Sequence, residues 1–252
     1  MIKIENFEVV GMEHAIRGMR NPMNSWDKSD SFDCRHISCE ECPVYDENLI
    51  CPHQLQYVVG DNDLTLMKKL AAGGPVHAKY RRMIAVYLDI TAPLYWWKEF
   101  DTYQVGTVRN SCSTMHKIHD KEFTLEDFSC EHLMDLYDQD IPYNSDEPFI
   151  YDYKAVLEDT ITALNNARGY FLKLKENGAD GNTLKRYWWQ MIQLLPSSYN
   201  QKRTIMLNYE VLTGIYKFRK DHKLDEWREF CKWIEQLPHS EIITGLNERE
   251  NE

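Results

Sequence analysis

Between Ile84 and Thr91 the chain alternates strictly, with Ile84, Val86, Leu88 and Ile90 on one side and Ala85, Tyr87, Asp89 and Thr91 on the other. Successive side chains of an extended backbone point to opposite faces, so this stretch predicts a strand with two unlike faces. Ala92-Pro93 follows. Proline suits the first turn of a helix, where its missing N–H has no intrahelical acceptor and its fixed φ is already helical. The aromatic run Leu94-Tyr95-Trp96-Trp97 then opens that helix.

The other elements fall around this core. Residues 6–20 read as a short strand and then a helix. Asp61-Asn62-Asp63 offers a helix cap, and the helix through Ala72 is stopped by Gly73-Gly74. The stretch VGTVRNSCSTMHK, from Val105 to Lys117, reads as a loop with backbone amides to spare. Residues 120–150 are acidic and irregular, with Pro142 and Pro148. Beyond them Val156, Leu157, Ile161, Leu164, Phe171 and Leu174 keep helical spacing, ended by Asn177-Gly178. Further helices are expected over Leu184–Leu195, Arg203–Arg219 and Leu224–Gln236. The expected fold class is α+β, a small antiparallel or mixed sheet with a helical C-terminal half. No linker divides the sequence, so one domain over 1–252 is expected, with a Cys-rich insertion at about 31–56.

Composition narrows the function classes. The formal net charge is −11, which disfavours sequence-blind binding to nucleic acid or to anionic membrane. It leaves room for a local basic pocket that takes a phosphorylated small molecule. The best apolar stretch, Met83 to Trp97, is interrupted by Asp89 and Pro93 and is too short to span a bilayer. The N-terminus lacks an apolar signal core, so a cytoplasmic address is expected.

Four of the seven cysteines crowd into one segment, Cys34-x4-Cys39-x2-Cys42-x8-Cys51, with His36 and His53 nearby. Four thiolates on a short loop can close a tetrahedral zinc site, which would be structural because no coordination position stays open. Free thiols, a disulfide or an iron–sulfur centre are the alternatives. Of the scattered cysteines, Cys231 reads as core, and Cys112 as a lone thiol without an identified base. His116 and His119 read as solvated surface. The pairs Trp96-Trp97 and Trp188-Trp189 read as packing residues, in the core or at an interface between subunits. Gly73-Gly74-Pro75 is a helix stop, not a phosphate loop.

Three stretches carry a resemblance: GGPVHAKYRRMIAVYLDITAPLYWW, then VGTVRNSCSTM, then LLPSSYNQKRTIMLNYEVLTGIYKFR. In this order they resemble the flavin-dependent thymidylate synthases, over roughly residues 61 to 236. The resemblance implies FAD as cofactor, dUMP as substrate, NADPH and methylenetetrahydrofolate as co-substrates, and a homotetramer. The implied reaction is reductive one-carbon transfer to C5 of the pyrimidine, a methyltransferase activity in nucleotide biosynthesis in which the cofactor carries the hard step. By position His77 and Asn208 would meet the flavin and Ser113 the nucleotide phosphate. Arg219 would face the uracil nucleotide, as both the substrate-binding and the catalytic candidate. The family's Arg-His-Arg signature is replaced by Asp101-Thr102-Tyr103-Gln104, and an Arg two beyond Asn208 is replaced by Glu210. Arg81, Arg82, Arg109 and Lys117 are candidates for replacement charge.

The local case for Arg219 rests on its place at the end of a helix marked as packed by Ile205, Leu207, Val211, Leu212, Ile215 and Phe218. Its bland alternative is a helix-end charge paired with Asp221 or Asp225. The expected alternatives to an enzyme are a non-catalytic nucleotide-binding or regulatory descendant of the same fold, and a zinc-knuckle interaction protein.

Overall fold

The computed structural model describes residues 2–34, 57–135 and 152–245. Strand β1 (Lys3–Val10) leads into helix α1 (Met12–Arg20). Strands β2 (Phe32–Asp33) and β3 (Tyr57–Val58) form a small antiparallel pair, with Phe32 opposite Val58 and Asp33 opposite Tyr57. Helix α2 (Asp61–Ala72), a 3-10 segment over Ala78–Met83, β4 (Ala85–Pro93) and α3 (Leu94–Phe100) follow. Then come β5 (Thr107–Ser111), α4 (Thr114–Lys117), α5 (Tyr153–Glu176) and α6 (Gly181–Leu194). Strand β6 (Asn200–Asn208) and helices α7 (Tyr209–Arg219), α8 (Asp225–Glu235) and α9 (Glu241–Thr244) complete the chain. The main sheet is small and antiparallel, in the order β1-β4-β6-β5. In β4 the residues Val86, Leu88, Ile90 and Ala92 are buried while Tyr87 is exposed, the two-faced pattern expected from the alternation.

Two stretches depart from expectation. Arg203 to Asn208 belong to β6 rather than to a helix running to Arg219; the helix begins only at Tyr209. Ile205 and Leu207 are buried two apart, as a strand requires, and the same residues also fit a helical stripe when α7 is read backwards. The stretch expected as a loop contains β5 and α4. The sheet therefore draws a strand from the C-terminal half, which the sequence presents as helical throughout.

The chain forms two compact units, each built from separate stretches. The first comprises Met1–Ile4, Ile90–Thr102 and Asn110–Thr204. Its core is the α5–α6 hairpin, where Leu157, Leu164, Ala167 and Phe171 pack with Met191, Ile118, Phe123 and Phe128. Asp152 and Asp180 cap the two helices with their carboxylates, meeting backbone N–H groups that the helix leaves without an acceptor. Helix α3 starts at Pro93, and the N–H groups of Leu94 and Tyr95 donate to the carbonyls of Tyr199 and Ser197, each at 3.0 Å. Trp96, Trp97 and Phe100 are fully buried. Trp97 Nε1 donates to Gln201 O at 2.9 Å. This pair is core within one chain, so Trp96 and Trp97 are not subunit contacts; Trp189 remains 40% exposed.

The second unit comprises Glu5–Asp89, Tyr103–Arg109 and Ile205–Glu252. In it α7 packs against α8, α9 and the 3-10 segment, and α1 and α2 pack on that segment as well. Gly11 turns β1 into α1 at φ 91°; a Cβ there would lie 2.2 Å from Met83 O, so only glycine fits. Arg20 and Asp63 make a buried ion pair at 2.6 Å, and Ser29 and Ser31 hydroxyls donate to the other carboxylate oxygen. Among the described residues no helix is long and apolar enough to cross a membrane.

Candidate functional site

Helix α7 is anchored at its N-terminal end and along its buried face before it presents any chemistry. Asn208 Oδ1 accepts from Val211 N at 3.1 Å, capping the first turn. The Tyr209 N–H donates to Ile84 O at 3.1 Å, and the Tyr209 hydroxyl donates to Pro238 O at 2.7 Å. Leu212, Ile215 and Tyr216 bury the inner face. The last helical residue, Arg219, is therefore carried on a rigid element.

Arg219 is half-buried. Its Nε donates to the Tyr103 hydroxyl at 3.0 Å. The guanidinium carbon sits 4.6 Å from the ring centre of Trp227 and 5.8 Å from that of Tyr103, and Nη1 lies 2.9 Å from His222 Nε2. The guanidinium packs on the Trp227 ring, with the Tyr103 ring set edge-on to that ring at 64°, so ring quadrupoles orient the cation as well as hydrogen bonds. Asp225 makes an ion pair with Arg228. Tyr103, His222 and Trp227 are the partners that sequence reasoning missed. Tyr103 stands within the departed signature, yet neither spacing nor composition ties it to Arg219.

Asn208 and Arg219 stand eleven positions apart. At about 100° and 1.5 Å per residue they share one face of the helix, about 16 Å apart. The Asn208 side-chain amide nitrogen makes no hydrogen bond among the described residues. Gly106 passes beside it at φ 77°, where a Cβ would come within 2.9 Å of that nitrogen. His77 lies in the turn after α2 and is exposed, its ring lying against Gly73.

The acidic departures from the family signature are neutralised within the chain. Asp101 Oδ1 pairs with Arg203 Nη1 at 2.8 Å, and Arg203 also lies over the Trp97 ring. Glu210 Oε2 lies 3.2 Å from Arg81 Nε, while Arg81 Nη1 donates to Thr213 Oγ1 and Ile242 O. Arg81 is thus committed to the chain's own acceptors rather than held free as replacement charge.

Ser113 belongs to the other unit. Its Oγ accepts from His116 N at 3.2 Å as the cap of α4 and lies 2.8 Å from His116 Nδ1. Cys112 is exposed, and its backbone is fixed by Lys202 O and by Gln201 Nε2. His119 is not the solvated residue expected: it packs on Phe171 with ring centres 4.7 Å apart, and Nδ1 is buried without a partner. Burial lowers its pKa, against the raising influence of Asp120. Cys231 is core, as expected, and burial pushes its thiol up to about 12. Cys34 is buried; Cys39, Cys42 and Cys51 lie outside the described residues. Among the described residues no group of three or more His, Cys, Asp or Glu side chains could hold a metal ion.

No protein-family model matches this sequence, and no curated protein matches it. Solved structures do. A crystal structure of thymidylate synthase X (ThyX) from Helicobacter pylori with FAD and dUMP matches with a TM-score of 0.55 and 14% identity, covering 97% of each chain. A second structure of the flavin-dependent thymidylate synthase ThyX from Helicobacter pylori, also complexed with FAD and dUMP, matches with a TM-score of 0.54 and 14% identity over 96% of each chain. With its small antiparallel sheet and surrounding helices, the chain has a ThyX-like fold.

Proposed function

We propose that this chain binds a flavin, FAD, and a pyrimidine nucleotide of the dUMP type, with reductive one-carbon transfer to C5 as the reaction they would serve. The observation that carries this is the end-to-end fold likeness to a protein whose structures hold FAD and dUMP. FAD, when bound, would supply the redox chemistry, with NADPH and methylenetetrahydrofolate as co-substrates. The chain's own residues position the rings. Arg219 directs guanidinium donors at a uracil carbonyl or a phosphate oxygen. Asn208 offers its free amide donor to the flavin, His77 an exposed imidazole, and Ser113 a hydroxyl for phosphate.

A second reading is favoured by the two internal ion pairs, Asp101–Arg203 and Glu210–Arg81. A chain that replaces cations by acids and then supplies those acids with its own arginines is stable without the family's phosphate partners. In that reading the fold serves as a non-catalytic nucleotide-binding or regulatory module.

Two measurements separate these readings. An absorption spectrum of the purified protein after incubation with FAD reads flavin retention. Calorimetric titration with dUMP, on wild type and Arg219→Ala, reads nucleotide recognition. The first reading expects flavin bands and a loss of about 2 kcal/mol or more in dUMP affinity for the variant. A colourless protein that still binds dUMP supports the second, and absence of both ligands overturns both.

A further inference from the structure

A cleft of about 630 Å³ opens in the second unit between α2, α7 and α9. It stands apart from the face that carries Arg219. Thr213, Tyr216, Lys217 and Lys220 line it, at the i, i+3, i+4 and i+7 spacing of one helix stripe. That stripe is turned by about 120° from the Asn208–Arg219 face, taking 100° per residue.

Its charge is opposite in sign to that of the chain. Lys68, Arg81, Lys217 and Lys220 line it against a single lining acid, Glu241, in a protein of net charge −11. Glu210 stands behind, paired with Arg81. Lys68 Nζ lies 3.3 Å from Glu241 Oε1. Lys217 and Lys220 make no ion pair among the described residues; their ammonium groups lie only over the rings of Phe218 and Tyr216. Like charges three residues apart on a helix repel one another, so two such lysines with no acid between them leave an anion-shaped deficit. Deeper in the cleft, the buried Arg81 and Glu241 are already engaged, Arg81 Nε with Glu210 and Glu241 Oε1 with Lys68, so the cations left for a ligand are Lys217 and Lys220. Ala71, Ala72, Ile242 and Ile243 supply the apolar part of its lining.

We propose that this cleft is a binding site for a small organic phosphate, separate from the pyrimidine site: the phosphate meets Lys217 and Lys220, with Lys68 at the rim, and the carbon portion rests on Ile242, Ile243 and the two alanines. The volume suits a ligand of mononucleotide size or smaller. A cationic recess with low-dielectric walls concentrates an anion even where the whole molecule is acidic. The size of the recess favours a small molecule over a nucleic-acid backbone, which needs a long basic track.

The test is calorimetric titration of the full chain with phenyl phosphate and, separately, with inorganic phosphate at low salt. Phenyl phosphate is expected to bind saturably with Kd below about 1 mM, and inorganic phosphate several-fold more weakly because it cannot use the apolar lining. The charge reversal Lys217→Glu with Lys220→Glu is expected to weaken phenyl phosphate by at least about tenfold. The milder Lys217→Gln with Lys220→Gln serves if the reversal fails to fold. Arg219→Ala is expected to leave phenyl phosphate affinity unchanged, which separates this site from the pyrimidine site. No saturable binding, equal affinity for the two phosphates, undiminished affinity in a folded lysine variant, or binding of an oligonucleotide without phenyl phosphate would each overturn the proposal.

Discussion

The Arg219 guanidinium rests 4.6 Å above the indole ring of Trp227 while its Nε is held by the Tyr103 hydroxyl. The arrangement fixes the plane of the cation and therefore the direction of its donors. Tyr103→Phe keeps the ring and removes the hydrogen bond. We expect dUMP affinity to fall by about 1 kcal/mol and thermal stability to change by no more than that. Arg219→Lys, which keeps charge but loses the planar fork, is expected to weaken dUMP more than Tyr103→Phe does. Unchanged titrations for both variants would remove Arg219 from nucleotide recognition.

Arg20 and Asp63 lock the second unit from within. Removing one partner by Asp63→Asn or Arg20→Met leaves a buried charge without its counterpart, with an expected loss of about 3–5 kcal/mol in urea unfolding. Replacing both by apolar residues should recover much of that loss. The pair also sets a pH dependence. Burial works to raise the Asp63 pKa, but the Ser29, Ser31 and Arg20 hydrogen bonds outweigh it and hold the carboxyl below its ordinary value. A carboxyl with a lowered folded pKa contributes stability that is present above its unfolded pKa, about 3.9, and is lost as pH falls through the folded value. In wild type an acid limb below about pH 4 is therefore expected, and in Asp63→Asn a flatter one.

His119 adds a second acid-sensitive point at higher pH. Its folded pKa is lowered by burial against Phe171, so the neutral ring is the form the fold accommodates. Stability from this group is complete above the unfolded value of about 6.5 and declines as pH falls toward and through the folded value. Melting temperatures measured between pH 7 and pH 5 should drop in wild type, and drop less in His119→Leu. Parallel curves would contradict this.

Gly11 sits at φ 91° with Met83 O where a Cβ would be. Gly11→Ala combines a left-handed conformation with a backbone clash, and a loss of about 1–3 kcal/mol is expected. Gly169→Ala, inside α5 with open space around it, is the control. It should be neutral or stabilising by up to about 1 kcal/mol.

The cysteine segment allows a separate measurement. If Cys34, Cys39, Cys42 and Cys51 hold structural zinc, elemental analysis of protein purified without chelator gives about one zinc per chain. Cys39→Ser with Cys42→Ser would abolish it. A zinc content below about 0.2 per chain would leave these residues as thiols.

The sequence by itself determined the local elements wherever one periodicity had no rival. The alternation from Ile84 to Thr91, the glycine stop after Ala72 and the long stripe from Val156 to Leu174 each appear in the structure as β4, α2 and α5. It also placed Arg219 at the end of a packed helix, since Leu212 and Ile215 are buried along α7, although Phe218, read with them as packed, is 70% exposed. What it did not decide was where one period yields to another. Ile205 and Leu207 satisfy a strand and extend the stripe of α7 equally well, and the choice rests on β4 and β5, which flank β6 in the sheet. Those partners stand roughly a hundred positions earlier in the chain, so no local window contains them. The same holds for the site. Tyr103 reaches Arg219 across 116 positions, and Arg203 reaches Asp101 across 102. A guanidinium's partners are fixed by packing in three dimensions, since hydrogen bonds and ring contacts act over a few ångströms and carry no trace in spacing along the chain.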